Sequence, residues 1–301
     1  MPSANPISKP TGNISIAGII SKPRSEQAVR VAPALVKWLA ERGVSARCDP
    51  ETAAYLALGT GDSNAAIPRG GVPEGAQLLI VLGGDGTLLS AARALHGRDI
   101  PLFAVNLGNL GFLTAITVEE LYPQLERVLA GDYHVSRRRM LHTELWRGGQ
   151  PAGSYEALND ISLAKADIAR IIDLEVHVDD HFMCLYKADG LIVSTPTGST
   201  AYSLSAGGPI MVPEVAAFCI TPICPHMLTN RPVIVQDEAV IEITMRGDNT
   251  TYLTVDGQVG EQLHKGDRVV CRRSEYTVQL IRPGGVRFFD VLREKLQWGG
   301  R

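Results

Sequence analysis

An apolar run that ends abruptly in glycines and a single carboxylate is the feature that most constrains how this chain can fold. Residues 77–82 form a short, mostly apolar segment bounded by turn residues, which predicts a strand buried on both faces. Residues 87–95 then carry Leu and Ala side chains at helical spacing. A Gly-Gly-Asp-Gly turn that contains Asp85 joins the two segments. This order predicts a strand, a glycine turn and a helix whose N-terminus can hold an anion.

Asp85 does not suit an anion site by itself, because its carboxylate repels a bare phosphate. A metal ion, a donated hydroxyl proton or a backbone N–H would each explain its place. The simpler alternative is a tight turn in which Asp85 caps the N-terminus of the helix. The turn taken alone leaves both interpretations open.

Length and composition limit the kinds of protein that this chain can be. With 301 residues, of which 45% are hydrophobic and 20% charged, the chain is long enough for about two domains. Its net charge of -3 argues against a nucleic-acid-binding surface. No segment approaches the ~18 consecutive apolar residues of a membrane span. We therefore expect no nucleic-acid partner and no membrane partner.

The N-terminus and the cysteines bear on location and on metal binding. Residues 1–13 are polar and lack an apolar signal core, which predicts a short disordered leader and a cytoplasmic protein. The five cysteines are scattered, and neither a Cys-x-x-Cys pair nor a His-Glu-x-x-His motif occurs. We therefore expect no disulfide framework and no metal-ligating residues.

The pattern of apolar residues changes near residue 131. Strand and helix patterns alternate over residues 14–131, which predicts an α/β domain with a Rossmann-like parallel sheet. Short strand-like segments separated by turns dominate residues 132–285, which predicts an all-β, sandwich-like domain. Residues 59–75 are rich in Gly and Pro, and no function is assigned to them.

Two shorter motifs each allow two interpretations. Residues 106–114 follow a predicted strand and form either an ordinary βα loop or a ligand-binding loop, in which Phe112 could stack on a base. Asn159 and Asp160 lie together inside a strand-like segment. They could receive ribose hydroxyls and amide donors of a ligand, or could simply form a β-bulge or turn.

Residues 189–209 are more specific, because small hydroxyl side chains, glycines and Tyr202 are concentrated there after a strand. We expect a helix to open near Ser199 or Thr200, where backbone N–H and hydroxyl groups suit a phosphorylated or polyhydroxylated ligand. Asp256 and Gly257 indicate first a hairpin turn and only second a ligand site. The sequence lacks the Walker loop, the full Gly-x-Gly-x-x-Gly motif and the Gly-x-Ser-x-Gly elbow.

Taken in order, these motifs closely resemble those of the NAD kinase family, over roughly residues 14–298. The resemblance is carried by Gly-Gly-Asp-Gly-Thr from 83, Asn-Leu-Gly-Asn-Leu-Gly-Phe-Leu from 106, Leu-Asn-Asp from 158, Ala-Asp-Gly from 188, Ser-Thr-Pro-Thr-Gly-Ser-Thr-Ala-Tyr from 194 and Asn-Arg-Pro from 230. The first motif is shared with lipid kinases of the diacylglycerol type, whereas the long Ser/Thr/Gly segment is specific to NAD kinases.

The resemblance implies transfer of the γ-phosphoryl group of ATP to the 2′-hydroxyl of the adenosine ribose of NAD, giving NADP. It implies a divalent metal cofactor, most commonly Mg²⁺, and ATP and NAD as the small-molecule partners. Asp85 would be the catalytic residue and accept the 2′-hydroxyl proton. Alternative functions are a lipid kinase, which would need an apolar acyl pocket, and a non-catalytic module that senses NADP.

The resemblance also implies a set of ligand contacts. The glycines after the first strand would hold phosphates through backbone N–H groups, Asn159 and Asp160 would contact the nicotinamide-side ribose, and Tyr202 is a candidate for stacking. The implied contacts are Gly83, Gly84, Gly86, Thr87, Asn106, Phe112, Asn159, Asp160, Arg170, Lys187, Asp189, Thr200, Ala201, Tyr202, Ser203, Leu204, Ser205 and Gln258.

The family fold implied by the resemblance has an α/β domain, a β-sandwich-like second domain and a C-terminal tail that returns to the first domain. Residues 286–301 would be this tail. Family members form dimers or tetramers, so the resemblance implies a homodimer or a homotetramer.

Overall fold

The computed structural model describes residues 14–60, 66–108, 111–166, 171–282 and 288–298. The expected leader at residues 1–13, the expected contact Arg170 and residues 61–65 of the Gly/Pro-rich stretch lie outside the described residues. The chain divides into two compact units. The first unit extends to Arg137 and resumes at Val278, and the second unit is Arg138–Thr277.

The described residues contain sixteen strands and six α-helices, together with short 3-10 turns at Arg69–Gly71 and Gly198–Thr200. The strands are β1 (Ile16–Ser21), β2 (Ser45–Cys48), β3 (Leu78–Leu82), β4 (Leu102–Val105), β5 (His134–Arg147), β6 (Gln150–Ala157), β7 (Asp160–Lys165), β8 (Ile172–Val178), β9 (His181–Ala188), β10 (Gly190–Ser194), β11 (Ala217–Ile223), β12 (Val233–Gln236), β13 (Ile241–Met245), β14 (Thr251–Val255), β15 (Val259–Leu263) and β16 (Arg268–Arg282). The helices are α1 (Glu26–Ala40), α2 (Pro50–Thr60), α3 (Asp85–Ala94), α4 (Leu121–Leu129), α5 (Tyr202–Ser205) and α6 (Phe288–Leu296).

The first unit is built on a parallel sheet in the order β2-β1-β3-β4. Helix α1 shows why the sequence folds this way locally. The hydroxyl of Ser25 caps the helix by accepting a hydrogen bond from the N–H of Ala28, and one face buries Val31, Leu35 and Leu39 in the core of this unit. The expected α/β domain with a Rossmann-like parallel sheet is confirmed.

The segment from β3 to α3 matches the expected strand, glycine turn and helix, with one difference. All of β3 is buried, as expected for a strand covered on both faces. Helix α3 begins at Asp85, two residues before the expected start at Thr87, because Gly84 takes the N-cap position with an extended backbone. Asp85 is therefore the first helical residue, and the interpretation of Asp85 as the helix N-cap is wrong.

The second unit is an all-β sandwich. Its six-stranded sheet is antiparallel, in the order β12-β11-β10-β7-β14-β15. Strands β8, β9 and β13 pair antiparallel in a second sheet. Leu163 and Phe218 of the first sheet and Leu174 and Ile243 of the second are fully buried in one apolar cluster, which is the core of this unit. The expected sandwich-like domain is confirmed.

The limits of the units differ by a few residues from the expected boundaries near 131 and 285. The final residues of β16 belong to the first unit, where Leu280 pairs in parallel with Leu102 of β4. Helix α6 is also part of the first unit, and it buries Val291 and Leu292. The expected return of the C-terminal tail to the first domain is confirmed. None of the described helices is both long and apolar enough to cross a membrane.

Candidate functional site

The glycine turn between β3 and α3 pairs with the sheet at Gly83 and leaves open space at Gly84. The N–H of Gly83 donates to the carbonyl of Val105 at 2.9 Å, so this group belongs to the sheet. The expected phosphate contact through the Gly83 N–H is therefore corrected. A side chain at Gly83 would lie 2.7 Å from the Cβ of Thr87, which is itself buried, whereas a side chain at Gly84 would meet open space. Gly84 and the exposed Gly86 remain the glycines that a ligand can approach.

The carboxylate of Asp85 accepts four hydrogen bonds from the loop after β4. Its Oδ2 accepts from the N–H of Phe112 at 2.9 Å. Its Oδ1 accepts from the N–H of Leu113 at 3.2 Å, and from the N–H and the hydroxyl of Thr114 at 3.1 Å and 3.0 Å. Backbone donors are thus one of the explanations that the sequence left open for a carboxylate at this turn. These bonds hold residues 112–114 against the N-terminus of α3.

Gly111 allows this close approach. A Cβ at Gly111 would lie 2.7 Å from the carboxyl carbon of Asp85, so any side chain would push the loop away. Asn106 braces the same loop, since its Oδ1 accepts from the N–H of Gly108 at 2.7 Å and its Nδ2 donates to the Thr114 hydroxyl at 3.0 Å. Asn106 is 5% exposed. The expected ligand contact at Asn106 is therefore corrected to a role inside the loop.

Phe112 lies where the loop meets the C-terminal helix of the same unit. The Nζ of Lys295 on α6 is 6.0 Å from the centre of the Phe112 ring. The guanidinium of Arg282 donates to the Phe112 carbonyl at 3.4 Å. Phe112 is half-buried, so part of its ring stays accessible. Its geometry is compatible with stacking on a base and equally with packing on α6.

In the second unit, Asn159 and Asp160 lie at the start of β7, on a frame built by Asp256. The carboxylate of Asp256 accepts from the N–H groups of Leu158, Asn159 and Asp160 at 3.1 Å, 2.8 Å and 3.2 Å. Asp256 is 7% exposed and lies in the turn between β14 and β15, where it and Gly257 have positive φ. The expected hairpin turn is confirmed, and its carboxylate also orders the Asn159 segment.

The side chains of Asn159 and Asp160 lie in different environments. Asn159 Oδ1 is buried and has no hydrogen-bond partner among the described residues. Burial, and next the charge of Asp256, raise the pKa of Asp160 from its usual 3.8 to about 7. Near neutral pH, Asp160 is therefore present both as the acid and as the carboxylate. A ligand can supply the missing donor to Asn159.

The segment at residues 195–200 packs on the backbone of Asn159. The N–H of Thr195 donates to the Asn159 carbonyl at 2.8 Å, and its hydroxyl donates to the Leu158 carbonyl at 2.6 Å. A Cβ at Gly198 would lie 2.7 Å from the Cα of Asn159, so only glycine fits there. Ser199 closes the segment on itself through the Pro196 carbonyl at 2.7 Å. Several hydroxyls of this segment are therefore used within the protein.

The expected contacts at 200–205 fall on the 3-10 turn and on α5, which has four residues. The expected helix near Thr200 is thus much shorter than a ligand-binding helix. The hydroxyl of Ser203 is buried against Thr221 Oγ1 at 3.0 Å, so the expected contact at the Ser203 side chain is corrected. Tyr202 is 44% exposed. The remaining expected contacts are half-buried or exposed, and they are Thr200, Ala201, Leu204 and Ser205.

Asp189 and Lys187 lie at the other end of the same ladder of strands. Ser194 pairs with Asp160, whereas Gly190 pairs with Ala164, so Asp189 is about 16 Å along the strands from Asp160. Asp189 forms an ion pair with Lys165 at 2.6 Å, and Lys187 Nζ is 3.8 Å from Asp173. The structure therefore does not bring Asp189 and Lys187 together with Asn159. Gln258 ends the Asp256 turn, where its N–H donates to the Val255 carbonyl at 3.0 Å.

Sequence reasoning missed three residues that order these sites. Asp256 was assigned to a turn, and only its burial beneath the Asn159 segment reveals its second role. Gly111 and Thr114 were included in a loop, without a contact to Asp85. A glycine followed after two residues by a threonine is too common a pattern to predict such a contact. No group of three or more potential metal ligands occurs in the part of the chain that the structure describes.

Comparison with known proteins identifies related chains. Residues 17–133 match the model of the ATP-NAD kinase N-terminal domain, and residues 158–283 match that of the ATP-NAD kinase C-terminal domain. An NAD kinase of Solibacter usitatus is 56% identical over 96% of this chain and 99% of its own length. An NAD kinase of Syntrophotalea carbinolica is 50% identical over 94% of this chain and 99% of its own length.

A solved structure supports the same relationship. The yeast NADH kinase complexed with NADH is similar with a TM-score of 0.91 and 26% identity, covering 99% of this chain and 94% of that chain. Both halves of the chain match domains of one family, and close relatives match almost from end to end. The chain belongs to the NAD kinase family.

Proposed function

We propose that the chain transfers the γ-phosphoryl group of ATP to the 2′-hydroxyl of the adenosine ribose of NAD, with Asp85 accepting the hydroxyl proton. The placement of Asp85 carries this proposal. Its carboxylate stands at the carboxyl end of β3, where ligands bind in parallel α/β sheets, and four donors from one loop fix its orientation. A positioned carboxylate can take the proton as the hydroxyl oxygen attacks phosphorus.

Gly84 and Gly86 are the proposed phosphate contacts of the first unit. Gly84 leaves open space where a side chain would stand and is the N-cap of α3, and Gly86 lies in the first turn of that helix, whose dipole favours negative charge. Thr87 is buried behind Gly83, and we assign it to holding the turn rather than to the ligand. The glycine turn therefore lets phosphate oxygens approach the backbone without steric hindrance.

Asn159 and Asp160 are the proposed contacts for the nicotinamide-side ribose of NAD. The unpartnered Asn159 Oδ1 suits a ribose hydroxyl as donor, since a buried acceptor without a bond costs ~1–3 kcal/mol. Asp160 can accept a second hydroxyl as the carboxylate. We retain Tyr202 as a candidate stacking group because its ring is partly exposed, and we retain Asp189, Lys187 and Gln258 as weaker candidates.

A divalent cation, most commonly Mg²⁺, is proposed to arrive with the phosphates of ATP. The described residues contain no cluster of three potential ligands, so the fit for a resident metal held by the protein alone is poor. Mg²⁺ in kinases is usually held by one or two carboxylates together with substrate phosphates and water. Such an ion would neutralise charge on the transferred group. We also propose a cytoplasmic homodimer or homotetramer.

A coupled assay tests the proposed activity. The purified chain is mixed with NAD, ATP and Mg²⁺, and an NADP-dependent dehydrogenase reports the product. We expect an NADP signal that depends on ATP, and a signal no higher than that of heat-treated protein would overturn the proposal. That null result would favour the alternative of a non-catalytic NADP-sensing module. Replacing NAD by NADH tests the activity named for the yeast relative.

A further inference from the structure

The hydroxyl of Thr114 is the link between Asp85 and a second polar side chain. Thr114 is fully buried, and its Oγ1 lies 3.0 Å from Asp85 Oδ1 and 3.0 Å from Asn106 Nδ2. The amide orientation of Asn106 is determined by its other contact, because its Oδ1 accepts from the N–H of Gly108 at 2.7 Å. Asn106 therefore presents its NH₂ group to Thr114.

These contacts determine the direction of the hydroxyl proton. The amide NH₂ of Asn106 can only donate, so Thr114 Oγ1 accepts from it. The ionised carboxylate of Asp85 can only accept, so the hydroxyl proton of Thr114 is donated to Asp85 Oδ1. Asn106 thus donates to Thr114, and Thr114 donates to Asp85. Each of these two hydrogen bonds has one possible direction.

The two oxygens of Asp85 are consequently unequal. Oδ1 accepts three hydrogen bonds, from the Leu113 N–H and from the N–H and hydroxyl of Thr114. Oδ2 accepts one from the described residues, from the Phe112 N–H. Each carboxylate oxygen has about two lone-pair positions. Oδ2 is therefore the atom that retains the capacity to accept another proton donor.

We infer that Thr114, oriented by Asn106, is a positioning residue whose hydroxyl acts with two backbone N–H groups to hold Asp85 Oδ1, which fixes the rotation of the carboxylate and presents Oδ2 to the hydroxyl that is phosphorylated. This inference rests on the proposed role of Asp85 as proton acceptor. In the reaction, the O–H bond of the substrate breaks, its proton passes to Asp85 Oδ2, and its oxygen forms the bond to the γ-phosphorus as the bond to ADP breaks. Thr114 keeps its own proton throughout.

Substitutions at Thr114 test the inference. Thr114→Val keeps the shape and removes the donor, and we expect kcat to fall about tenfold or more, with the KM for NAD and for ATP changed less than about twofold. Thr114→Ser restores the donor and should return kcat to within about threefold of the wild-type value. Thr114→Cys carries a weak donor and should give an intermediate kcat. Thermal unfolding of each variant verifies folding.

The matched control is Thr117→Val, since Thr117 lies near Thr114 in sequence and its hydroxyl accepts from the Glu120 N–H at 3.4 Å without touching Asp85. We expect wild-type kcat and KM for this control. An unchanged or raised kcat in Thr114→Val, or equal losses in the Val and Ser variants, would overturn the inference. Should Thr114→Val unfold, a Cys variant no slower than the Ser variant would also overturn it.

Asp85→Asn, measured in parallel, separates failure of this inference from failure of the proposed function. If Asp85→Asn loses turnover while Thr114→Val keeps it, Asp85 remains the proton acceptor and the role of Thr114 is wrong. If Asp85→Asn keeps wild-type turnover, the proposed role of Asp85 is itself wrong, and the inference falls with it.

Discussion

Asp85 in the first unit and Asp160 in the second are both aspartates at the ends of sheet strands, but the protein treats them in opposite ways. Asp85 receives four hydrogen bonds from a neighbouring loop. Asp160 is buried near a second carboxylate, Asp256, and its pKa rises to about 7. The first environment supplies donors to an anion, and the second withholds water and adds like charge. The surroundings of a carboxylate, rather than the residue type, determine which chemistry it can perform.

Asp256 makes the contrast sharper, because it acts on the charge of Asp160 and is itself held by backbone donors. Three backbone N–H groups donate to the Asp256 carboxylate. The second unit thus uses one carboxylate to build the frame, and we propose that the other, with Asn159, contacts a ligand. In the first unit we propose that a single carboxylate does both tasks, with Oδ1 directed to the loop and Oδ2 to the substrate.

The largest expected effect comes from Asp85→Asn. The variant cannot accept the substrate proton, so we expect kcat to fall by about 10²- to 10⁴-fold. NAD binding should stay nearly intact, since the proposed contacts with the nicotinamide-side ribose are unchanged and an Asn amide can still form a hydrogen bond with the 2′-hydroxyl. Steady-state kinetics and calorimetric titration with NAD check both parts. Loss of NAD binding with unchanged turnover would show that Asp85 is a ligand contact and not a base.

Asp160→Asn tests the buried environment of Asp160 through the pH dependence of the free energy of unfolding. The pKa of Asp160 is about 7 in the folded chain, whereas its usual value of 3.8 applies to the unfolded chain. Between these pH values the folded state therefore binds a proton that the unfolded state does not. Wild-type stability should therefore fall as the pH rises from about 4 to about 7, by up to roughly 4 kcal/mol, and then level off. In the Asp160→Asn variant this side chain is neutral at every pH, so the variant should lack this loss of stability.

Urea unfolding at pH 5 and pH 8 measures the effect of Asp160→Asn. As the pH rises from 5 to 8, the free energy of unfolding should fall less in the variant than in the wild type. Asp248→Asn is the control, because the Asp248 side chain is 78% exposed and paired only at the surface with Lys265. A wild-type pH dependence in Asp160→Asn would show that Asp160 titrates as an ordinary exposed carboxylate.

Gly111→Ala should disturb the Asp85 environment without changing any polar group. The added Cβ would lie 2.7 Å from the Asp85 carboxyl carbon, so the loop must move and its hydrogen bonds must lengthen. We expect a loss of about 1–3 kcal/mol in unfolding free energy and a clear fall in kcat. Gly260→Ala is the control, since open space surrounds that position and its φ is not positive. Wild-type kcat in Gly111→Ala would contradict the bracing of Asp85 by this loop.

Asp256→Asn is expected to have the smallest effect. Asn tolerates the φ of 49° at this position and keeps one acceptor oxygen, so about 1–2 kcal/mol of unfolding free energy should be lost with the weakened N–H bonds. The pKa of Asp160 should stay above its usual value, because burial is its larger cause. Thermal unfolding and an NMR titration of Asp160 check these expectations. A return of that pKa to about 3.8 would assign the whole shift to Asp256 instead.

Much of the fold was predictable because local patterns and tertiary packing agree. The buried strand before the glycine turn and the turn at Asp256 both appear as expected. The helix expected near Thr200 was the main local error, since α5 has only four residues. Hydroxyls that suggested a helix N-terminus instead bond to nearby carbonyls, as Ser199 does with Pro196.

The site was predictable in its residue types but not in its internal contacts. The motifs around Asp85 and Asn159 were selected as ligand-binding segments, and that assignment stays a prediction. The sequence did not indicate that Gly83 donates to Val105 or that Ser203 faces Thr221, because those partners lie far away along the chain. A hydrogen bond between distant residues depends on strand register, which short motifs do not encode.

By itself, the sequence determined the two kinds of domain, the strand-turn-helix around Asp85 and the resemblance to a kinase family, because each depends on residues that are adjacent or regularly spaced. Only the tertiary structure decided which carboxylate is surrounded by donors and which is left in a buried, charge-bearing environment. Burial and the approach of Thr114 to Asp85, or of Asp256 to Asn159, arise when separate segments pack. Those long-range contacts set the orientation of Asp85 and of the Asn159 segment, and burial near Asp256 raises the pKa of Asp160.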